Sequence, residues 1–167
     1  MARLFLGYPF TLPDVRSTVE AAADGLAEVT VASDRLRGMP LLHKIEEMMA
    51  EADACLFDLT LHNPNVALEL GIAHGRGYHY AVLYCTDQRL NPSPGRESSL
   101  FSDLQGWDSI RYSDLADLRK KLAFYLPEFI QNQSRRNASL PSGALTDAML
   151  LKKSGTISVI SHDRTEP

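Results

Sequence analysis

An apolar run, Ala54-Cys55-Leu56-Phe57, leads straight into an aspartate, Asp58. A few residues later come Asn63-Pro64-Asn65-Val66, and then apolar residues at helical period. No other stretch of the chain restricts the fold as much. A continuous apolar run is what a strand buried on both faces of a parallel sheet requires. Asn63 is a good N-cap, and Pro64 suits the first helical position, which needs no amide donor. Val66, Leu70 and Ala73 recur at helical spacing and predict the helix's core face. Asn65, Glu69 and Ile72 fall on a different stripe. The segment therefore predicts a strand–loop–helix unit with the Glu69 carboxylate on the second turn of the helix. Open α/β sheets bind ligands beyond the C-terminal ends of their strands, where this helix begins. Gly71 is expected to remove a side chain close to Glu69, making room for a ligand or another backbone.

Strand and helix patterns alternate on either side of this unit. Residues 3–6 predict a first strand that ends in the turn Gly7-Tyr8-Pro9-Phe10. Gly7 permits close backbone approach, and Pro9 stops the ladder. Tyr8 and Phe10 sit where a base or sugar can lie against an aromatic face, or where they plug the core. A helix is predicted over 12–26, with Val15, Val19, Ala22, Ala23 and Leu26 inward, and a strand over 29–32. Residues 33–40 form a polar, basic loop whose Arg35 and Arg37 can meet a phosphate or face solvent. A helix over 41–52 presents Leu42, Ile45, Met48 and Met49 to the core.

Residues 80–85 read as another central strand and 108–112 as a short one. A helix over 115–130 turns Leu118, Leu122, Tyr125, Leu126 and Phe129 inward. Strands alternating with helices give a parallel sheet with right-handed crossovers. Four or five such strands fit a flavodoxin-like (Rossmann-like) α/β fold. The long segment 86–106, with Pro92, Pro94 and Gly95, reads as a lid or partner contact. From Gln131 the Asn, Gln, Ser and Arg content predicts a linker. The α/β domain is thus expected over 1–131 and a C-terminal extension over 132–167. In that extension, 144–152 reads as a short helix and 156–160 as a strand without a neighbour. Unpaired strand edges are usually covered, and two-fold dimers are the commonest soluble assembly. A homodimer or larger is expected.

Composition excludes several classes of function. The net charge is −4, with no basic surplus for a phosphate backbone, so long nucleic acid is not an expected partner. The two cysteines, Cys55 and Cys85, fall inside predicted buried strands and read as small core hydrophobes. No Cys/His spacing matches a zinc site, and no metal is expected. No apolar run is long enough to span a membrane, and no signal-peptide pattern opens the sequence. A reducing cytoplasm is the expected compartment.

Two pieces of the chain resemble one superfamily. Leu4-Phe5-Leu6-Gly7-Tyr8-Pro9-Phe10 is similar to the opening strand and Gly-x-Pro-Phe turn of the nucleoside 2-deoxyribosyltransferase family. The segment from Ala52 through Asp58 and Thr60, with Asn63-Pro64-Asn65-Val66-Ala67-Leu68-Glu69-Leu70-Gly71-Ile72-Ala73, resembles that family's Asp…Glu-Leu-Gly-x-Ala segment. Its Asn-Pro-Asn-Val version is also similar to the TIR-like nucleotide-hydrolase branch. The resemblance covers roughly residues 1–85. It implies a flavodoxin-like sheet and N-glycosidic chemistry, with Glu69 as the catalytic glutamate and Asp58 as the acid that orients the ligand. Gly7, Tyr8, Pro9 and Phe10 would border the sugar and base, beside Asn63 and Asn65.

Such chemistry suits these residues. Breaking a C1′–N bond develops positive charge on the sugar, which a carboxylate stabilises or attacks. A second acid protonates or hydrogen-bonds the leaving base; Asp58, a water, His62 and His74 are candidates. The expected ligand is a small nucleoside or nucleotide. The Gly-Tyr-Pro-Phe turn favours a nucleoside or deoxynucleotide, and Asn-Pro-Asn-Val favours NAD, which would be a substrate rather than a cofactor. Two other functions fit the same pattern: a nucleotide-binding sensor with little turnover, and a TIR-like signalling or assembly module.

Overall fold

In a computed structural model of the protein, residues 1–34, 41–87 and 109–139 are described, with 133–139 described by backbone alone. Five strands and four helices alternate along them: β1 (Ala2–Gly7), α1 (Pro13–Ala23), β2 (Ala27–Thr30), α2 (Leu41–Glu51), β3 (Ala54–Asp58), α3 (Pro64–Gly75), β4 (Tyr80–Cys85), β5 (Ser109–Tyr112) and α4 (Leu115–Ser139). The strands form one parallel sheet in the order β2-β1-β3-β4-β5, a flavodoxin-like arrangement. The chain steps from β1 to β2 in one direction and from β3 through β4 to β5 in the other. The order therefore reverses between β1 and β3, where Gly7 pairs with Phe57 in the ladder.

Burial explains the order. Every residue of β3 and β4 is buried, as inner parallel strands require. The edge strand β5 alternates exposed and buried. One face of the sheet packs Leu4, Leu6, Ala54, Leu56 and Leu83 against α1 and α4, through Val15, Val19, Leu118, Leu122 and Leu126. The other packs Phe5, Cys55, Phe57 and Val82 against α2 and α3, through Ile45, Met49, Val66 and Leu70. Both cysteines are free and buried, as core residues. Among the described residues no helix is long and apolar enough to cross a membrane.

Several element boundaries differ from the sequence reading. The first helix stops at Ala23 because Gly25 takes a left-handed φ of 72° and the Leu26 amide bonds back to Ala23. Leu26 is consequently 37% exposed rather than core, and β2 begins two residues earlier than expected, paired with Ala2. Leu42 is exposed as well; helical period assigns a stripe but not how far the sheet reaches beneath it. The closing helix does not give way to a linker at Gln131 but continues to Ser139. Its polar end contains neither Gly nor Pro, so nothing local stops it. Pro127 lies inside the helix, and buried Leu126, Phe129 and Ile130 hold the flanking turns on the sheet.

Contacts along the chain separate one compact unit, Met1–Ser134, which holds the sheet, from a second, Arg135–Pro167. The predicted helix over 144–152 and strand over 156–160 lie outside the described residues, as do Arg35, Arg37 and most of segment 86–106.

Candidate active site

The unit that dominates the sequence forms as its residues dictate. The Asn63 side chain accepts hydrogen bonds from the amides of Asn65 (2.9 Å) and Val66 (3.4 Å), and Pro64 opens the helix. The cap fixes where α3 starts. Helical period then sets Glu69 in the second turn, and α3 packs across β3 and β1. Glu69 is 8% exposed. Its carboxylate comes to rest over Gly7: a Cβ placed on Gly7 would overlap Glu69 Oε2 and lie 2.7 Å from Phe57 Cδ1. Gly7 and Phe57 are the paired residues at the reversal of strand order.

Glu69 therefore occupies the place where an open α/β sheet binds its ligand. Among the described residues it has no hydrogen-bond or ion-pair partner. Burial alone pushes its carboxyl up to about 7, from an ordinary 4.5. Stripped of water and lacking a compensating cation, a carboxylate resists ionisation. A group that titrates near neutrality suits either protonation state in catalysis.

Asp58 is placed differently from expectation. It is 0% exposed. Alternation along β3 directs it, like Leu56, to the α1/α4 face, whereas Glu69 lies over Gly7 and Phe57 on the other. Its Oδ1 accepts from the Thr60 amide (2.9 Å) and the Thr60 hydroxyl, and its Oδ2 from the Tyr112 hydroxyl (2.7 Å). The Thr60 hydroxyl oxygen in turn accepts from the Cys85 amide at 2.9 Å. Burial raises the Asp58 pKa, and the hydrogen bonds from Thr60 and Tyr112 oppose the rise. Burial and then the charge of Asp58 also push the Tyr112 phenol up. The group is a polar clamp joining the C-terminal ends of β3, β4 and β5. Asp58 presents no surface to a ligand, which corrects its expected role as a ligand-orienting acid beside Glu69.

The remaining predicted residues divide in the same way. Gly7 is brought directly to Glu69. Pro9 is buried, and its carbonyl accepts from the Leu12 amide at 2.8 Å, closing the turn. Tyr8 packs on the α1/α4 core and meets Phe10 edge-on, with ring centroids 5.3 Å apart; Phe10 is 60% exposed. This pair supplies an exposed aromatic edge close after β1. Asn63 is spent on the cap, and Asn65 is exposed on the first turn.

Gly71 plays no part in seating Glu69, since a Cβ there would meet nothing within 4 Å. His74 lies in the last turn of α3 and contacts the Tyr80 hydroxyl at 3.1 Å, at the start of β4 and away from the ligand edge. His62 takes a left-handed φ of 49° in the β3–α3 loop and stacks on Tyr84. Its Nε2 is buried without a hydrogen-bond partner among the described residues.

A cavity of about 550 Å³ opens between the N-terminal turns of α1 and α4, walled by Leu12, Val15, Cys85, Tyr112 and Leu115. Its Tyr112 wall is part of the Asp58 clamp, on the face opposite Glu69. Sequence reasoning missed Phe57, Thr60 and Tyr112 as parts of this edge. The available signal was the chemistry of strand ends: Thr and Tyr placed where β3 and β5 stop can reach a buried acid. No group of three or more His, Cys, Asp or Glu side chains among the described residues could hold a metal ion.

No protein-family model matches the chain, and no curated protein matches it. Among solved structures it is similar to a conserved protein from Enterococcus faecalis V583, at 12% identity, over 73% of this chain and 97% of that one, with a TM-score of 0.49.

Proposed function

We propose that the protein cleaves or transfers the N-glycosidic bond of a nucleoside or nucleotide, with Glu69 as the catalytic residue. One observation carries the reading: a carboxylate without a partner among the described residues, buried where the strand order reverses, at the ligand edge of the sheet. A stabilising surface residue has no reason to be there, because burying an unpaired acid costs stability. The apolar seat strengthens its electrostatic effect on a nearby cation.

In the proposed step the C1′–N bond breaks and its electron pair leaves with the base nitrogen, which takes up a proton. Glu69 either shields the developing sugar cation or bonds to C1′. Water then completes hydrolysis, or a second base completes transfer. The exposed edge of Phe10 and Tyr8 offers the base a face to lie against. The likeness of the Gly-Tyr-Pro-Phe turn to deoxyribosyltransferases supports a nucleoside or deoxynucleotide substrate, and that of Asn-Pro-Asn-Val to TIR-like hydrolases supports NAD.

Incubation with a panel of nucleosides, nucleotides and NAD, followed by chromatography for free base, tests the reading. We expect base release from the wild type and none above background from Glu69→Gln, which should retain ligand binding. Release at the wild-type rate by Glu69→Gln overturns it. A second reading is favoured by the sequestered Asp58: no second acid among the described residues stands beside Glu69 to protonate a leaving base. A nucleotide-binding sensor that holds its ligand at this sheet edge would be thermally stabilised by it without releasing base.

A further inference from the structure

We infer that Gly7 is a positioning residue for Glu69: the bare Cα at the end of β1 is the seat of the carboxylate, and any side chain at this position expels it from the strand reversal. The consequence for catalysis rests on the reading of Glu69 given above; the seating itself does not.

Glycine is used in proteins for either backbone freedom or space. Backbone freedom is not the reason here. The positive-φ glycines among the described residues are Gly25 and Gly77, and Gly7 lies within β1 in regular register with Phe57. Space is the reason. The volume a Cβ would take is already held by Glu69 Oε2 and by the Phe57 ring, whose Cδ1 and Cε1 lie 2.7 and 3.1 Å from it. Gly71 and Gly75, also in regular backbone, would each meet nothing within 4 Å.

A glycine inside a strand weakens it, because it has no side chain to pack and more freedom to lose. The Phe57 ring would itself crowd a small side chain here, so the bare Cα serves the ring as well as the carboxylate. The strand leaves the rest of this volume to a carboxylate that gains no hydrogen bond and no ion pair among the described residues. Such an arrangement holds the acid in one place without pairing it to a cation. The Phe57 ring bounds the space from β3, and α3 bounds it from above. With β1 bare at this point, the carboxylate lies close against the strand. A methyl group at position 7 lifts it into solvent.

Titration of the Glu69 carboxyl, followed by carbon-13 NMR of glutamate-labelled protein, tests the seating without any substrate. In the wild type we expect a midpoint near 7, and in Gly7→Ala one that falls toward the ordinary 4.5. The methyl also crowds Phe57, so Gly7→Ala/Phe57→Leu serves where the single variant folds poorly: its midpoint should fall too, while Phe57→Leu alone stays near 7. A midpoint that remains near 7 in the folded Gly7→Ala protein, or in the double variant, overturns the inference. With a substrate from the base-release panel, Gly7→Ala should lower kcat at least tenfold with little change in KM, and move the acid limb of the pH profile with the NMR midpoint. If no substrate is cleaved by the wild type, the proposed reaction fails, and the NMR midpoints still decide the seating.

Discussion

A carboxylate with neither a cation nor a hydrogen-bond donor beside it holds its proton when water is stripped away, and among the described residues Glu69 is such a group. Its pKa rises from 4.5 to about 7 through burial. The sign of the stability effect follows directly. Below pH 4.5 the folded and unfolded chains both carry the proton, and the group costs nothing. Between 4.5 and 7 the unfolded chain loses the proton more readily, so stability falls as pH rises, and above 7 the loss is complete. At 1.36 kcal/mol per pKa unit the full loss is about 3 kcal/mol. Glu69→Gln should therefore be more stable than the wild type by up to about 3 kcal/mol at pH 8, and nearly equal to it at pH 4. Urea unfolding at the two pH values measures this. Equal stability at pH 8 would show that the acid is solvated or paired. A variant that gains stability while losing base release is what a functional, strained residue predicts.

At the scale of elements, the two acids at the sheet edge separate by what surrounds them. Asp58 is satisfied by Thr60 and Tyr112, and it ties β3 to β5 across β4. Tyr112→Phe removes one donor from this buried acid and should cost about 1–3 kcal/mol. Because the clamp faces away from Glu69, the acid limb of any base-release profile should stay where it is; movement of that limb would show that the clamp belongs to the active site. The same contrast explains what the sequence could show. The start of α3 was legible because capping is local: Asn63, Pro64 and the period of Val66, Leu70 and Ala73 lie within one short stretch. Strands β3 and β4 were legible because burial on both faces leaves unbroken apolar runs. The edge strand β2 slipped by two residues because its pairing with β1 and the turn at Gly25, not its own pattern, fix where it begins. The end of α4 was missed because polar composition resembles a linker until a helix is given something to extend. The Asp58 role was misread for a deeper reason. Its partner Tyr112 is 54 residues away, and which face of β3 it takes depends on the completed sheet. The seat of Glu69 on Gly7 is likewise a product of strand order, although the turn after β1 marked Gly7 as a close-approach point.

Over the whole molecule, the sheet keeps two cores apart, and this allows stability and site chemistry to be changed separately. Leu118, Leu122 and Leu126 of α4 pack with Leu56 and Leu83 on one face, while Glu69 shares the other with Phe57, Val66 and Leu70. Leu122 is fully buried. Leu122→Ala removes its packing and leaves a cavity, which typically costs about 2–5 kcal/mol. That is a large part of the roughly 5–15 kcal/mol stability of a domain, so the urea midpoint should fall sharply. The Glu69 seat is made by Gly7, Phe57 and α3, and the sheet lies between it and Leu122. Its titration in the folded protein should therefore stay near 7. If the two faces were instead one mechanical unit, loosening α4 would hydrate the seat, and the Glu69 midpoint would drop together with stability. Carbon-13 titration of folded Leu122→Ala, beside its urea curve, separates these outcomes. A lower urea midpoint with an unchanged Glu69 midpoint is the expected result, since a packed sheet transmits the loss of one buried side chain to total stability far more readily than to the position of a carboxylate on its opposite face.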